Sequence, residues 1–137
     1  MRTQLIAGGC LLALAAAGCG DDTNSSSARD AAGEKGARAA IVEFTDAFVA
    51  KHYDDACDVL NERAQRQFKR ASCAEVLKLS GGVVKEAQVK QARDAARTLK
   101  ITVNGDKATV AGVTAGASRK TNLVRQGGRW YIDAAPE

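Results

Sequence analysis

The spacing of apolar residues changes once along the chain, and this change constrains the fold more than any other feature. Between about Ala31 and Arg97, apolar residues recur at intervals of three and four, which is typical of amphipathic helices. From Thr98 onward they tend to alternate with polar residues, which is typical of half-buried strands. Helices followed by a run of strands predict an α+β domain.

The most regular helical pattern runs from about Ala31 to His52. Its apolar residues form one stripe that comprises Ala37, Ala40, Ile41, Phe44, Ala47 and Phe48. A long helix with two phenylalanines on one face needs a broad apolar partner, and the sheet predicted further along the chain supplies one.

Capping signals predict shorter helices after the first one. Asp54 or Asp55 is expected to cap one short helix, and Asn61 is expected to cap the next. The segment Ser72–Glu75 matches the reciprocal capping box, which predicts a further helix. Residues 83–97 are rich in helix-favouring residues and are expected to form the last helix before the strands.

Turn signals divide the remainder into about four antiparallel strands. Asn104–Asp106 contains Asn-Gly, the strongest short hairpin signal, and Gln126–Gly128 predicts a second tight turn. The glycines at 112 and 116 suggest a bulge or bend between these turns. The sequence therefore predicts helices packed on a curved antiparallel meander.

The first eighteen residues have the parts of an export signal. Arg2 provides a positive start, and a short apolar stretch follows from Leu5 to Leu14. That stretch is too short to span a bilayer, which takes about 20 apolar residues. Ala16–Cys19 resembles the cleavage box of bacterial lipoproteins, although that pattern more often has leucine where Ala16 stands.

This resemblance implies that residues 1–18 are a signal peptide and that Cys19 carries a diacylglyceryl group. The chain would then be anchored at the extracytoplasmic face of the cell membrane. Gly20–Asp30 is polar and is expected to be a flexible tether, which leaves residues 31–137 as one small domain. The alternative is an ordinary secretory signal with an incidental cysteine.

The signal and the anchor account for Cys10 and Cys19, so Cys57 and Cys73 remain as a pair. Outside the cytoplasm such a pair is expected to form a disulfide, worth about 3 kcal/mol for a loop of about 15 residues. A metal site would need further ligands, and His52 is the only histidine. His52 could be a general base, but a capping or half-buried structural role is the favoured interpretation.

The order of these elements resembles the nuclear transport factor 2-like superfamily, which includes ketosteroid isomerases and polyketide cyclases. The resemblance covers nearly all of the chain from Ala31 to Asp133. More narrowly, Tyr53-Asp54 before Cys57, Ser72–Glu75 and Gly105–Val110 resemble segments of small actinobacterial lipoproteins. Each motif is weak by itself, and their order carries the resemblance.

The superfamily fold implies a cavity between the first helix and the sheet. The residues expected to line it are Phe44, Phe48, His52, Leu99, Ile101, Leu123 and Trp130. Enzymes of the superfamily hold a carboxylate base and hydrogen-bond donors there. Asp46 and Asp133 are the nearest carboxylates, with Tyr53 or Tyr131 as donors, but none lies in a motif that matches the isomerases. No catalytic residue is therefore assigned.

Residues 63–100 are predominantly basic and could meet anionic lipid headgroups or cell-wall polymers. The basic residues are Arg63, Arg66, Lys69, Arg70, Lys78, Lys85, Lys90, Arg93, Arg97 and Lys100. A solvated helical surface is the favoured interpretation, since the formal net charge of the whole chain is only +4. Nucleic acid is not expected as a partner, because no aromatic residues interleave the basic ones.

These features predict a lipid-anchored envelope domain, without a metal or cofactor, that binds a small apolar molecule or a protein. One alternative is an envelope enzyme of the isomerase or cyclase type with an unidentified carboxylate in its cavity. Another is a structural or regulatory interaction module whose cone is filled by side chains. Only the first two require an open apolar cavity.

Overall fold

The computed structural model describes residues 28–68, 70–114 and 117–133. Within these residues five helices precede four strands. The helices are α1 (Gly33–Val49), α2 (Tyr53–Asp58), α3 (Glu62–Arg66), α4 (Cys73–Gly81) and α5 (Glu86–Thr98). The strands are β1 (Lys100–Asn104), β2 (Lys107–Thr114), β3 (Ala117–Gln126) and β4 (Arg129–Asp133).

The strands form one antiparallel sheet in the order β1-β2-β3-β4. The predicted α+β class and four-stranded antiparallel sheet are thus confirmed. β4 forms one edge, and part of that edge is covered by the segment after α2. Ile132 donates its N–H to the Val59 carbonyl at 2.9 Å, and Asn61 donates to the Ile132 carbonyl at 3.1 Å. This short parallel bridge satisfies backbone groups that an edge strand would otherwise leave unpaired.

Helix α1 has 17 residues and is shorter at both ends than the predicted span. Ala32 is extended, so the helix starts two residues later than expected. At the other end Lys51 has a φ of 63°, and the N–H groups of Lys51 and His52 donate back to the carbonyls of Phe48 and Ala47. These two bonds form a Schellman motif, which ends the helix before His52.

Two of the three predicted caps are confirmed. The Asn61 side chain accepts from the Ala64 N–H at 2.8 Å at the start of α3. Ser72 and Glu75 form the reciprocal capping box of α4.

The predicted cap of α2 is wrong. Helix α2 begins at Tyr53, so Asp54 and Asp55 lie inside its first turn rather than before it. There their carboxylates face the positive end of the helix dipole, which is a favourable position without a capping bond.

Both predicted tight turns are present, but the bulge predicted at Gly112 is wrong. Gly105 has a φ of 60°, and Gly127 and Gly128 have φ values of 58° and 82°. Positive φ at both central residues makes the second turn type I′, which matches the twist of the flanking strands. Gly112 pairs with Arg119 in a register that continues without interruption along β2 and β3, and residue 116 lies outside the described residues.

The predicted disulfide between Cys57 and Cys73 is confirmed, with 6.0 Å between the two Cα atoms. It joins α2 to the first residue of α4. The bond lies beside a small apolar cluster of Ala56, Cys57 and Leu77, against which Phe48 and Tyr53 pack. The disulfide therefore ties α4 covalently to α2 beside this cluster.

Trp130 of β4 is fully buried and connects the sheet to the segment at the start of α1. Its indole N–H donates to the Ala31 carbonyl at 3.1 Å. Gly36 faces the same point, and a Cβ atom there would lie 1.8 Å from the Ala31 oxygen and 2.6 Å from Trp130 Cδ1. Only glycine therefore lets the helix, the preceding segment and the indole meet.

We predict that Gly36→Ala lowers the free energy of unfolding by about 2–3 kcal/mol, because the Ala31 carbonyl must move and lose its bond to Trp130. Gly82→Ala is the matched control, since Gly82 has a φ of −66° and its Cβ would have no neighbour closer than 3.6 Å. The control should stay within about 0.5 kcal/mol of the parent in urea unfolding followed by circular dichroism. Equal stability of the two variants would contradict this packing.

Candidate functional site

Most residues expected to line a cavity instead pack in the core. Ile101, Leu123 and Trp130 are buried in the main cluster, and Phe44 and Leu99 pack against it. Phe48 packs in the second cluster, where its ring lies 6.2 Å from that of Phe44 and 5.9 Å from that of Tyr53. The site must therefore be sought on the surface, where side chains are free to meet a ligand.

His52 occupies the N-cap position of α2, as one of the predicted roles requires, but its side chain lies on the surface rather than half-buried. It follows α1 and precedes α2, its side chain is 68% exposed, and it makes no capping bond. Its Nδ1 is 3.6 Å from the Asp55 carboxylate, and both side chains border an open groove. This groove is the best candidate for a functional site.

The groove has a volume of about 1130 Å³ and runs along α1, which supplies more of its lining than any other element. Helix α5 adds Arg93 and Arg97, α2 adds Asp55 and Asp58, and β4 adds Arg129 and Tyr131. The segment before α1 adds Ala28 and Arg29. Small side chains of α1 and of the residue that follows it leave the space open, namely Ala39, Val42, Ala47 and Ala50.

Arg29 and Glu43 form a buried ion pair at the groove. Arg29 is only 3% exposed and the Glu43 side chain is 17% exposed. Arg29 Nε lies 2.8 Å from Glu43 Oε2, but neither atom has a well-directed hydrogen bond within the described residues. The guanidinium also lies over the Tyr131 ring at 5.5 Å and donates to the Asp58 carbonyl at 3.4 Å.

Burial raises the pKa of Glu43, although the charge of Arg29 acts in the opposite direction. Desolvation is the larger effect, since most of the Glu43 side chain is removed from water. Removing one partner of such a pair leaves an uncompensated charge, at a typical cost of about 3–5 kcal/mol for a fully buried pair. Glu43 and Arg29 therefore depend on each other.

The other ion pairs at the groove are more exposed. Asp46 accepts from Arg93 Nε at 3.0 Å, which links α1 to α5. Asp30 accepts from Arg129 Nε at 2.8 Å, and this hydrogen bond lowers the pKa of Asp30. Arg38 donates to the Arg97 and Leu99 carbonyls, each at 2.8 Å, at the end of α5.

Two charged groups at the groove stay free among the described residues. The Arg97 guanidinium and the Asp58 carboxylate have neither a salt bridge nor a side-chain hydrogen bond there. Arg97 comes from α5 and Asp58 from α2. The groove thus offers one free positive and one free negative group on two different helices.

The other residues named from the sequence, Asp133, Tyr53, Tyr131 and Lys100, do not lie together, and only Tyr131 of these four borders the groove. Asp133 accepts from Asn61 Nδ2 at 2.9 Å, and Tyr53 packs against Phe48 away from the sheet. Tyr131 lies on the face of β4 opposite to Trp130 and borders the groove. Lys100 belongs to β1, so it does not extend the helix that carries Arg93 and Arg97.

Sequence reasoning missed Arg29 and Glu43. Arg29 falls in the segment 19–30 that was expected to be a tether, but the structure places Arg29 and Asp30 in the folded domain. Glu43 lies among the charged residues around the amphipathic helix, where it has no distinguishing spacing. A signal that could have pointed to the pair is a single arginine in a stretch otherwise made of small and acidic residues.

No group of three or more His, Cys, Asp or Glu side chains within the described residues is arranged to hold a metal ion. Among the same residues, no helix is both long and apolar enough to cross a bilayer. Comparisons with protein-family models, with curated proteins and with solved structures found no match to this chain.

We predict that Glu43→Gln changes how stability depends on pH. A raised pKa means that the folded chain holds the Glu43 proton more tightly than the unfolded chain, so this contribution is complete below the ordinary glutamate pKa and is lost as pH rises through the raised pKa. The free energy of unfolding of the parent, minus that of the variant, should therefore fall as the pH rises above the ordinary glutamate pKa.

Urea unfolding at a series of pH values measures this difference. The matched control is Glu62→Gln, because Glu62 is 89% exposed and also contacts an arginine, Arg66. The control should show a much flatter difference. If the Glu43 difference rises with pH, attraction to Arg29 outweighs desolvation and the electrostatics described here are wrong.

Proposed function

We propose that this chain is a bacterial cell-envelope lipoprotein, anchored through Cys19, whose domain binds a dipolar peptide-like ligand in the groove along α1. The observation that carries the binding role is the pair of free opposite charges, Arg97 and Asp58, in one open groove of about 1130 Å³. Arginine pairs well with a carboxylate, and aspartate pairs with an ammonium group. A peptide that carries both a free carboxylate and a free ammonium group could therefore pair with Arg97 and with Asp58.

The packing of the interior supports a surface site over a buried apolar one. Six of the seven residues expected around a cavity lie in or against the two apolar clusters. The groove is lined by charged as well as small apolar side chains, which suits a polar extended ligand better than an apolar molecule. The proposed surface binding site therefore resembles the third alternative from the sequence, an interaction module whose interior is filled by side chains.

The domain is proposed to belong to the nuclear transport factor 2-like superfamily. Support comes from the order of elements, with α1 and small capped helices before an antiparallel meander, and from the packing of α1 on one face of the sheet through Trp130. Membership suggests a shared architecture and carries no activity with it.

The groove is tested with trialanine, which has a free amino and a free carboxyl end, and with its N-acetylated and C-amidated forms. Isothermal titration should show saturable binding of trialanine, weakened at least about tenfold when either end is blocked, since a charged hydrogen bond is worth about 1.5–3 kcal/mol. Arg97→Gln should remove the preference for the free carboxyl end, and Asp58→Asn the preference for the free amino end.

Lys100→Gln is the matched control, because Lys100 lies close to Arg97 in sequence but does not border the groove. It should bind trialanine as the parent does. Absence of saturable binding, or equal binding of the free and the blocked peptides, would contradict a dipolar ligand.

The anchor is tested by mass spectrometry of the chain extracted from membranes. A mature N-terminus at Cys19 with the mass of a diacylglyceryl group is expected, and Cys19→Ala should lose both the added mass and the membrane association. An unmodified N-terminus at or near Cys19 would contradict the anchor and favour an ordinary secretory signal.

Acid–base catalysis at Glu43 is a second candidate function. The favouring observation is that burial raises the pKa of this carboxyl at an open groove, as in many catalytic carboxylic acids. Exchange of α-hydrogens of small ketones into deuterated water, followed by nuclear magnetic resonance, tests it. Exchange that depends on the parent chain and is lost in Glu43→Gln would support this candidate, and absence of exchange would contradict it.

A further inference from the structure

We propose that the turn between α4 and α5 inserts into the headgroup region of the bilayer to which the chain is anchored. Among the side chains that the structure describes, the exposed large apolar ones are Leu79, Val83 and Val84, with exposures of 76%, 81% and 36%. All three fall within six consecutive residues. Such a concentration differs from the scattered apolar residues of an ordinary surface. We call residues 78–85 the apolar turn.

The backbone of the apolar turn is held in place, so its side chains stay exposed. Gly81 packs directly on Tyr53, since a Cβ atom there would lie 2.5 Å from the Tyr53 hydroxyl. Successive backbone bonds tighten the turn, from Gly82 to the Lys78 carbonyl at 3.1 Å and from Val84 to the Gly81 carbonyl at 3.3 Å. The backbone of the turn is thus held against α2, with Leu79, Val83 and Val84 exposed.

The charges beside the turn suit an anionic lipid surface. Lys78 precedes the apolar residues and Lys85 follows them, and both are exposed. Within the described part of the chain, neither ammonium group forms a salt bridge. Lysines that flank an inserted apolar tip can extend toward lipid phosphates while their stems stay in the apolar region.

A second copy of the chain is a poorer occupant than a bilayer. Two apolar turns in contact would bring their lysines together, and like charges at close range repel. An anionic bilayer offers both kinds of partner. Its apolar tails can contact the valines of the turn, and its negative phosphates can contact the lysines.

The reach of the anchor allows this contact, and here the inference rests on the proposed lipidation. Nine peptide units separate Cys19 from Ala28, and a fully extended chain of that length spans about 30 Å. Ala28 borders the groove along α1, which shares His52 and Asp55 with a neighbouring depression that Gly82 and Val84 border. The attachment point and the apolar turn thus border one connected surface.

The experiment uses the acylated mature chain with Val83→Cys labelled by the fluorophore NBD. The other cysteines are occupied by the lipid at Cys19 and by the Cys57–Cys73 disulfide, so the label is specific. Thr102→Cys, at an exposed position on β1, carries the matched control label. Each chain is reconstituted into vesicles of phosphatidylcholine and phosphatidylglycerol, with and without brominated lipids.

We expect the label at position 83 to gain emission at least about threefold on vesicles, with a blue shift and quenching by lipids brominated near the headgroups. Adding Leu79→Ser and Val84→Ser should remove most of this gain, and replacing phosphatidylglycerol by phosphatidylcholine should reduce it. The label at position 102 should not respond.

Three results would overturn the proposal. A label that stays in water on a vesicle-bound, acylated chain refutes insertion while leaving the anchor intact. A blue shift in the absence of lipid would assign the turn to self-association. Equal responses at positions 83 and 102 would show a general effect of the membrane surface. Loss of the lipid anchor is detected independently, by the mass of the N-terminal residue Cys19, so it is not confused with failure of insertion.

Discussion

The contact between Trp130 and the start of α1 is the interaction on which the rest of the structure depends. The indole is fully buried, and its N–H donates a hydrogen bond to the carbonyl of Ala31. Because Gly36 has no side chain, α1 can lie close to both groups. This contact joins the start of α1 to the sheet and holds the preceding segment beside β4, while Ala37, Ala40 and Ile41 pack in the same core cluster. Arg29 and Asp30 are thereby carried to the positions from which they reach Glu43 and Arg129. The docked segment thereby supplies Ala28 and Arg29 to the lining of the groove along α1.

Charge pairing then decides what the groove can do. Arg29 and Glu43 form a buried ion pair, and Asp46 and Arg93 form a second pair, so these four charged groups are already paired within the protein. What remains for a ligand are the groups without such partners, which lie on α2 and α5. This distribution of charges is why we propose a dipolar chain, rather than a single strong charge, as the ligand of the groove.

Local signals in the sequence predicted much of the fold. The change of period gave the α+β class, Ser72 and Asn61 gave two caps, and the cysteine count gave the disulfide. The misses have two different causes. Lys51 ends α1 through local backbone bonds, in a conformation that usually belongs to glycine and that its residue type does not predict. Arg29 is buried by contacts with Glu43 and Tyr131, which are distant in sequence, so no window along the chain could reveal them.

The burial of Trp130, the only tryptophan of the chain, can be measured directly. Acrylamide quenching of its fluorescence in the folded mature chain tests whether the indole is enclosed between α1, the Ala31 segment and the sheet. The structure predicts a quenching constant far below that of the same chain in urea. Equal quenching in the folded and the unfolded chain would show an exposed indole, and the docking that builds the groove would be refuted.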